Sequence, residues 1–436
     1  MTYSKDTRTL QVGDIYVAIR GERHDGHAFV RDAIALGAAG AIVEKPVDTS
    51  GARDGFIVTQ VDDSVRYLAE AARSKVDACK PDMVAITGSI GKTSTRNAIA
   101  TVLGRKFSVV ASTGNLNTLL GLSLTVLNAD FGSDTKLVLE MGACKRGDIA
   151  ELCAYFRPSI AVVTNVHGVH LETFGTIDDV ARTKGELVQG LRPRGAACLN
   201  HDDVRVRVMA SLHDGPTVFY GRTEGSDVGP DVITEPLPLL GAHAVSNCLA
   251  AVAVGRMLGM RAADINAGLS RLTPEKGRMH RLPGRRESVL IDDSYNASPA
   301  STASALAVLG EQRASRRVAY LGDMLELGKD EIAAHIRIIR LALEQADVIV
   351  LVGDRMAAAA GAISRAERQP LLCFPTSTDV VVALDADAKV QPRPGDVALV
   401  KGSQGVRMER ISRKLLSEEI APETVLPRQT ESWWQI

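Results

Sequence analysis

Residues 81–95 read Pro-Asp-Met-Val-Ala-Ile-Thr-Gly-Ser-Ile-Gly-Lys-Thr-Ser-Thr, and this stretch restricts the fold more than any other. Val84, Ala85 and Ile86 make the apolar run of a buried parallel strand. Gly88 and Gly91 then permit a tight turn that lets backbone approach a ligand closely. Residues 97–103 are expected to be helical. A strand, a glycine turn and a helix N-terminus together make an anion site, because free N–H groups and the helix dipole converge there. Gly88, Ser89, Gly91, Lys92, Thr93 and Ser94 are therefore expected to bind a nucleotide. Lys92 would reach its β- and γ-phosphates and the Thr93 hydroxyl would sit on Mg²⁺. Ile86 stands where the longer form of the motif has its first glycine, so the signal is the short form Gly-x-x-Gly-Lys-Thr. The alternative is a strand, turn and helix that bind nothing; the apolar strand ahead of the glycines favours phosphate.

A chain of 436 residues suggests two to three domains, at about 150 residues each. A net charge of −1 argues against a general polyanion binder, so no nucleic acid partner is expected. Six scattered cysteines, with no Cys-x-x-Cys pair, read as reduced thiols of a cytoplasmic protein. The first residues carry no apolar signal segment, and no run of 18 apolar residues exists, so no membrane insertion is expected. Trp433 and Trp434 read as a segment docked on a neighbouring surface.

Three units follow in order. Residues 1–80 read as a small α/β domain, with strands at 15–19 and 41–43 and helices at 29–36 and 65–78. Its polar loop holds Arg20, Arg23 and His27, and is either a solvated turn or a grip for an anionic substrate. Residues 81–272 alternate strand and helix, which argues a mostly parallel sheet covered on both faces. Strands are expected at 84–87, 137–140, 160–164 and 196–200. Glu140 ends one of them on the ligand side. A carboxylate there, with His170 and the Thr93 hydroxyl, makes a plausible metal–phosphate site. Residues 273–436 alternate again, with strands at 289–291, 318–321, 348–352 and 397–400. Aspartates and glycines follow these strands, where a doubly wound sheet binds ligands. Asp293 is a candidate for a ribose hydroxyl and Lys401 for a phosphate or carboxylate; taken in isolation, each is better read as a helix cap or surface charge. Linkers are expected near 79–82 and 272–278.

Taken together these residues resemble the Mur ligase family, over nearly the whole chain. The resemblance is carried by residues 13–27, 87–93, 114–117, 140–143, 170–175 and 184–186. It continues through 241–243 with Asn247, Gly277-Arg278, and the blocks at 292–299, 321–328 and 401–403. It is strongest to the branch that adds D-alanyl-D-alanine to UDP-N-acetylmuramoyl-tripeptide in peptidoglycan synthesis. It implies an N-terminal domain for the acid substrate, a central ATPase domain and a Rossmann-like C-terminal domain for the amine. It implies an acyl phosphate made from ATP, then attack by the amine, with two Mg²⁺ ions. Thr93 and Glu140 would hold one ion, and His170 with Lys184 the other. An ammonium cannot ligate a cation; the resemblance implies that Lys184 carries a carbamate, as the matching lysine of the family does. Lys92, His170 and Lys184 are the catalytic candidates. Asn247 would face the adenine, Arg278 the phosphates and Asp293 the ribose. Arg20, Arg23, His27, Asn115, Asn117, Asn296, Asp323 and Lys401 are the substrate candidates. A cytoplasmic monomer acting on small molecules is expected.

The chain departs from that pattern at four places. It begins almost at Asp6, where the family has a preceding strand and helix. The stretch between Asn200 and Gly241 is short. Thr118 and Ser123 replace an asparagine and a proline, and Ala244 replaces an asparagine. These differences fall mainly on the substrate side. They leave open a relative that joins a different acid and amine in a specialised pathway, beside a scaffold that has lost catalysis and a plain P-loop kinase or NTPase.

Overall fold

The structure, a computed structural model, describes residues 2–21, 24–132, 134–168, 171–364, 371–430 and Trp433. Three sheets organise it. The first runs β1 (Tyr3–Ser4), β2 (Ile15–Val17), β3 (Gly40–Val43) and β4 (Ile57–Gln60) in spatial order, all parallel. The second holds β5 (Asp82–Thr87), β6 (Val109–Ala111), β7 (Lys136–Glu140), β8 (Ile160–Val163), β9 (Ala196–Asn200) and β10 (Thr217–Tyr220). Its order is β10-β9-β8-β5-β7-β6, again all parallel. The third holds β11 (His280–Pro283), β12 (Val289–Asp293), β13 (Arg316–Gly322), β14 (Val348–Val352), β15 (Leu371–Phe374) and β16 (Asp396–Lys401). Its order is β11-β12-β16-β13-β14-β15, and only β11 with β12 is antiparallel. The chain is a three-domain α/β fold, as expected from its alternation.

The central sheet explains its own sequence. β5, β7 and β8 are buried on both faces, which is why they read as unbroken apolar runs rather than alternating ones. Helices Asp148–Tyr155 and Ile177–Gln189 cover one face, packing Ile149, Leu152, Val180 and Leu187 around Leu139 and Val163. Helices Lys92–Leu103 and Ala242–Met257 cover the other. The latter is apolar all round and buried along most of its length, as a helix enclosed by sheet and neighbours must be. β5 lies between β7 and β8, with Ile86 opposite Glu140 and Thr87 opposite Val163. The strand order turns in both directions at β5, so its C-terminal end opens onto a crevice.

The first domain meets the second through helix Ser64–Cys79, which lies on helix Leu119–Leu127. Leu68 fills the joint with Val17, Ile42 and Leu124. Asn128 fastens its rim, accepting from the Tyr3 amide at 2.7 Å.

The main elements lie where the sequence placed them, and the differences have local reasons. The helix after the glycines begins at Lys92, not at 97, because Gly91 takes φ +82 and starts it at once. The helix expected at 29–36 is a 3₁₀ turn, Gly26–Phe29, followed by Val30–Ala35; Asp25 caps the turn by accepting from the His27 amide. The two- to four-residue strands β1, β4, β6, β10, β11 and β15 had no such signal. β4 is a sheet edge with Ile57 60% and Val58 42% exposed, so nothing forces an alternating pattern on it. No disulfide joins the six cysteines. Burial pushes the Cys153 and Cys248 thiols up to about 12, which leaves them unreactive. No described helix is long and apolar enough to cross a membrane.

Leu68 is fully buried at the joint. Leu68→Ala is expected to cost about 2–5 kcal/mol of stability, the range for a truncated buried leucine. Denaturant unfolding checks this, and a loss below about 1 kcal/mol would contradict the joint.

Candidate active site

The glycine turn leaves β5 and is held from the side by the end of β8. Gly88 has φ +148, and a Cβ there would fall 1.9 Å from the Thr164 Oγ1, so no other residue fits without moving β8. The Thr164 hydroxyl donates to the Ile90 carbonyl at 2.7 Å. Asn165 grips the turn twice, its Oδ1 accepting from the Ile90 amide and its Nδ2 donating to the Ile90 carbonyl, both at 2.9 Å. Ser89 is fixed as well, since its Oγ donates to the His167 carbonyl at 3.0 Å. The Lys92 ammonium curls over the turn and donates to the Gly88 and Ser89 carbonyls at 2.8 and 3.2 Å. Burial lowers its pKa, the Glu140 carboxylate opposes that, and Arg278 adds to the lowering. Two cations facing one space leave it ready for an anion.

Glu140 is the hub beside the turn, and it is 3% exposed. Its Oε2 accepts from the Thr93 hydroxyl at 2.8 Å and its Oε1 from Asn117 Nδ2 at 3.0 Å. Arg96 lies 3.6 Å from Oε2 and is buried too. Arg96 also pairs with Glu275 at 2.9 Å, and Asn97 donates to the same carboxylate. The sequence reading missed Arg96. Its one signal is an arginine four residues after Lys92, one helical turn along the face that covers β7.

Lys184 sits on helix Ile177–Gln189, is 2% exposed, and forms no hydrogen bond or ion pair with any described residue. Burial, and then the nearby Lys92 ammonium, pull its pKa down to about 7; Cys144, Asp148 and Glu186 pull the other way. Glu186, two residues on, instead accepts from the Gly147 and Ala150 amides at 2.8 and 3.0 Å. Among the described residues no group of three or more His, Cys, Asp or Glu gathers as a metal cluster. His170 and Arg23 lie outside the described residues.

The opposite wall comes from the third domain. A cleft of about 1130 Å³ is lined by the glycine turn, Asn115, Asn117 and Glu140 on one side and by Arg278, Asp293, Asn296 and Lys401 on the other. Asp293 and Lys401, expected to meet different substrate groups, face each other at 2.6 Å. The Met279 amide donates to the second Asp293 oxygen at 3.2 Å. Asn296 is exposed at the rim, and its backbone carbonyl accepts from Lys401 at 2.9 Å. Asn247, expected at the adenine, lines the cleft and supports the turn: its Oδ1 accepts from the Thr95 hydroxyl at 3.0 Å and lies against Gly91. Ser94 and Arg278 line both this cleft and a smaller adjoining cavity of about 40 Å³. Asp323 lies below the cleft floor, buried, where it caps helix Asp354–Ala362 by accepting from the Arg355 and Met356 amides at 3.2 and 2.8 Å.

In the first domain His27 is buried. Its Nδ1 meets Asp25 at 2.5 Å and its Nε2 accepts from the Glu44 amide at 2.8 Å. Asp25 also binds Lys45 at 2.7 Å and bridges to Arg20. The loop that was read as either turn or anion grip is thus tied internally.

Comparison with known proteins matches all three parts. Residues 3–80 fit the catalytic domain of the Mur ligase family, 86–255 the Mur ligase middle domain, and 277–404 the glutamate ligase domain of Mur ligases. The UDP-N-acetylmuramoyl-tripeptide–D-alanyl-D-alanine ligase of Synechocystis is 33% identical, covering 95% of this chain and 91% of its own. The chain belongs to the Mur ligase family. The Mycobacterium tuberculosis enzyme of the same name is 34% identical over 96% of this chain and 92% of its own. Among solved structures, MurF from Acinetobacter baumannii superimposes with a TM-score of 0.83 at 28% identity, covering 95% and 93% of the two chains. MurF from Thermotoga maritima, in complex with ADP, gives 0.78 at 28% identity, covering 95% and 96%. This Mur ligase is an ATP-dependent, ADP-forming enzyme.

Its departures from the family pattern have structural uses in this Mur ligase. Thr118 caps helix Leu119–Leu127, accepting from the Gly121 amide at 3.4 Å. Ser123 turns its hydroxyl back to the Leu119 carbonyl at 2.7 Å, which lets it sit inside the helix. Ala244 is buried and lines the smaller cavity.

The Lys184 shift sets a pH signature. The folded chain releases a proton near pH 7 that the unfolded lysine keeps to about 10.4. The unfolded state therefore binds more protons in that window, and the lysine's penalty on stability is full below pH 7 and fades as pH rises. Lys184→Met is expected to melt higher than the parent chain at pH 7 in CO₂-free buffer, with the gap closing toward pH 10. A gap independent of pH would contradict the buried amine.

Proposed function

We propose that this ligase adds D-alanyl-D-alanine to UDP-N-acetylmuramoyl-tripeptide, acting in the cytoplasm as a monomer. The observation that carries this reading is the two-walled cleft, with the glycine turn on one side and the loops at 294–301 and 325–327 on the other. Those loops follow strand ends of the third domain, and the relatives named for this reaction match along more than nine-tenths of their length.

The chemistry follows from what each wall offers. A carboxylate is a poor electrophile, so it needs a leaving group. One oxygen of the tripeptide carboxylate attacks the γ-phosphorus of ATP, the bond from that phosphorus to the β,γ-bridging oxygen breaks, and ADP leaves. Lys92 and Arg278 face the phosphates and offset the charge that builds on the transferring group. The amine nitrogen of the dipeptide then attacks the acyl carbon. The carbon–oxygen bond to phosphate breaks, the nitrogen loses a proton, and inorganic phosphate departs with the amide formed. Walls from two domains allow the bound substrates to be enclosed, which would keep water from hydrolysing the acyl phosphate.

The residues fit Mg²⁺ on one side. Glu140 and Thr93 supply adjacent oxygens, the donor type that hard cations take. Bound there, Mg²⁺ would neutralise phosphate oxygens. For a second ion, His170 and Lys184 are the candidates, and Lys184 qualifies only as a carbamate. A buried amine with its pKa near 7 suits that modification, because only the neutral form adds CO₂.

Phosphate release with ATP and Mg²⁺ tests the reading. Release is expected only when UDP-N-acetylmuramoyl-tripeptide and D-alanyl-D-alanine are both present. Turnover with other acids and amines, and none with this pair, would favour a specialised ligase.

A further inference from the structure

Arg278 is held by a segment that the reaction itself does not explain. Residues 422–428 run along the linker that joins the second and third domains. Lys276 Nζ donates to the Glu423 carbonyl at 2.6 Å, and the His280 ring lies 3.3 Å from the Val425 carbonyl. Gly277 has φ +73, and a Cβ there would meet the Pro427 ring at 2.9 Å and Tyr295 at 3.1 Å, so the linker passes tightly between them. The Tyr295 amide donates to the Gly277 carbonyl at 3.1 Å.

Tyr295 is the centre of this contact. The Arg278 guanidinium lies over its ring at 4.2 Å and the Arg428 guanidinium at 4.5 Å. Arg428 also donates to the Tyr295 carbonyl at 2.7 Å. Arg428 is fixed in turn by Glu409, at 3.7 Å, and by the Trp433 ring at 5.3 Å. Glu409 is fully buried and accepts from the Trp433 indole at 2.6 Å. Arg407 completes the lock, donating to the Trp433 carbonyl at 3.0 Å and lying over its ring at 4.9 Å. Beyond Tyr295, Arg278 faces the same space as Lys92, and its buried Nε has no hydrogen-bond partner among the described residues. The Arg278 guanidinium thus lies with its plane against a ring while its charge faces the anion site.

We propose that Arg428 is a positioning residue for nucleotide binding: through Tyr295 it holds the Arg278 guanidinium on the phosphate side of the cleft. Guanidinium planes stack on aromatic rings and an ammonium does not reproduce that geometry. Arg428→Lys keeps a charge opposite Glu409 but gives up the stack. The proposal rests on reading the cleft as the ATP site, and ATP binding by the unaltered chain tests that reading separately.

Calorimetric titration with ATP and Mg²⁺ is the experiment, read with the melting temperature of each variant. Arg428→Lys is expected to raise the Kd for ATP roughly tenfold, the size of one lost desolvated cation–π contact. In an Arg278→Lys background the same change is expected to add less than about twofold, because the residue it positions is already gone. A merely structural arginine would multiply the two effects. An unchanged Kd in Arg428→Lys, or full multiplication in the double variant, would overturn the proposal. Should Arg428→Lys fail to fold, Tyr295→Leu breaks the same chain of contacts at its middle and is expected to give the same rise; no rise there would overturn it equally.

Discussion

One buried carboxylate organises the site. Glu140 ends β7 next to the glycine turn, and it is 3% exposed. A carboxylate so placed costs several kcal/mol unless its oxygens are satisfied. Thr93, Asn117 and Arg96 satisfy them, and each of the three comes from a different constraint. Thr93 is set by the helix start at Gly91, Asn117 by the loop after β6, and Arg96 by the next helical turn. Remove the parallel register of β5 with β7 and neither Thr93 nor Arg96 meets Glu140; Asn117 reaches it through β6, which pairs with β7 directly. The same register on the other side lets Thr164 and Asn165 fix the turn from β8. The glycine turn is therefore braced by groups that follow the ends of its neighbouring strands.

The second domain holds the turn, but the third closes the site. Arg278 brings a second cation to the space under Lys92, and the linker that carries it is pinned by Pro427 and Tyr295. Asp293 and Lys401 neutralise each other within the third domain, so that ion pair adds little net charge to the wall facing the glycine turn. Lys184 is the costly element. It is a buried amine with no described hydrogen-bond partner, held near a pKa of 7 by desolvation and by Lys92. Strain of this kind is kept where function needs it.

Much of this was legible in the sequence, and the rest was hidden for identifiable reasons. The glycine turn could be read because Gly88 has a steric necessity: a Cβ there collides with Thr164. Glu140 could be read because it ends an apolar run. The long buried strands were found within a residue or two at most ends, since burial on both faces leaves an apolar block. The short edge strands were not, because a two- to four-residue strand at a rim has neither block nor alternation. Arg96 was missed because a buried arginine inside a helix looks like a surface one until its partners, Glu140 and Glu275, are brought 44 and 179 positions across the chain. Asp323 was expected at the substrate from the resemblance; that its carboxylate also caps a helix thirty-odd residues on could not be seen in the sequence. Lys401 and Asp293 were each expected at a strand end and both line the cleft, but their pairing was not legible, since it depends on β16 inserting beside β12.

Transfer of oxygen from the acid to phosphate tests the central claim most directly. The tripeptide carboxylate is labelled with oxygen-18, the reaction is run to completion with ATP and dipeptide, and the released phosphate is weighed by mass spectrometry. An acyl phosphate formed in this cleft predicts one labelled oxygen in every phosphate released. Unlabelled phosphate, with the amide formed normally, would contradict it.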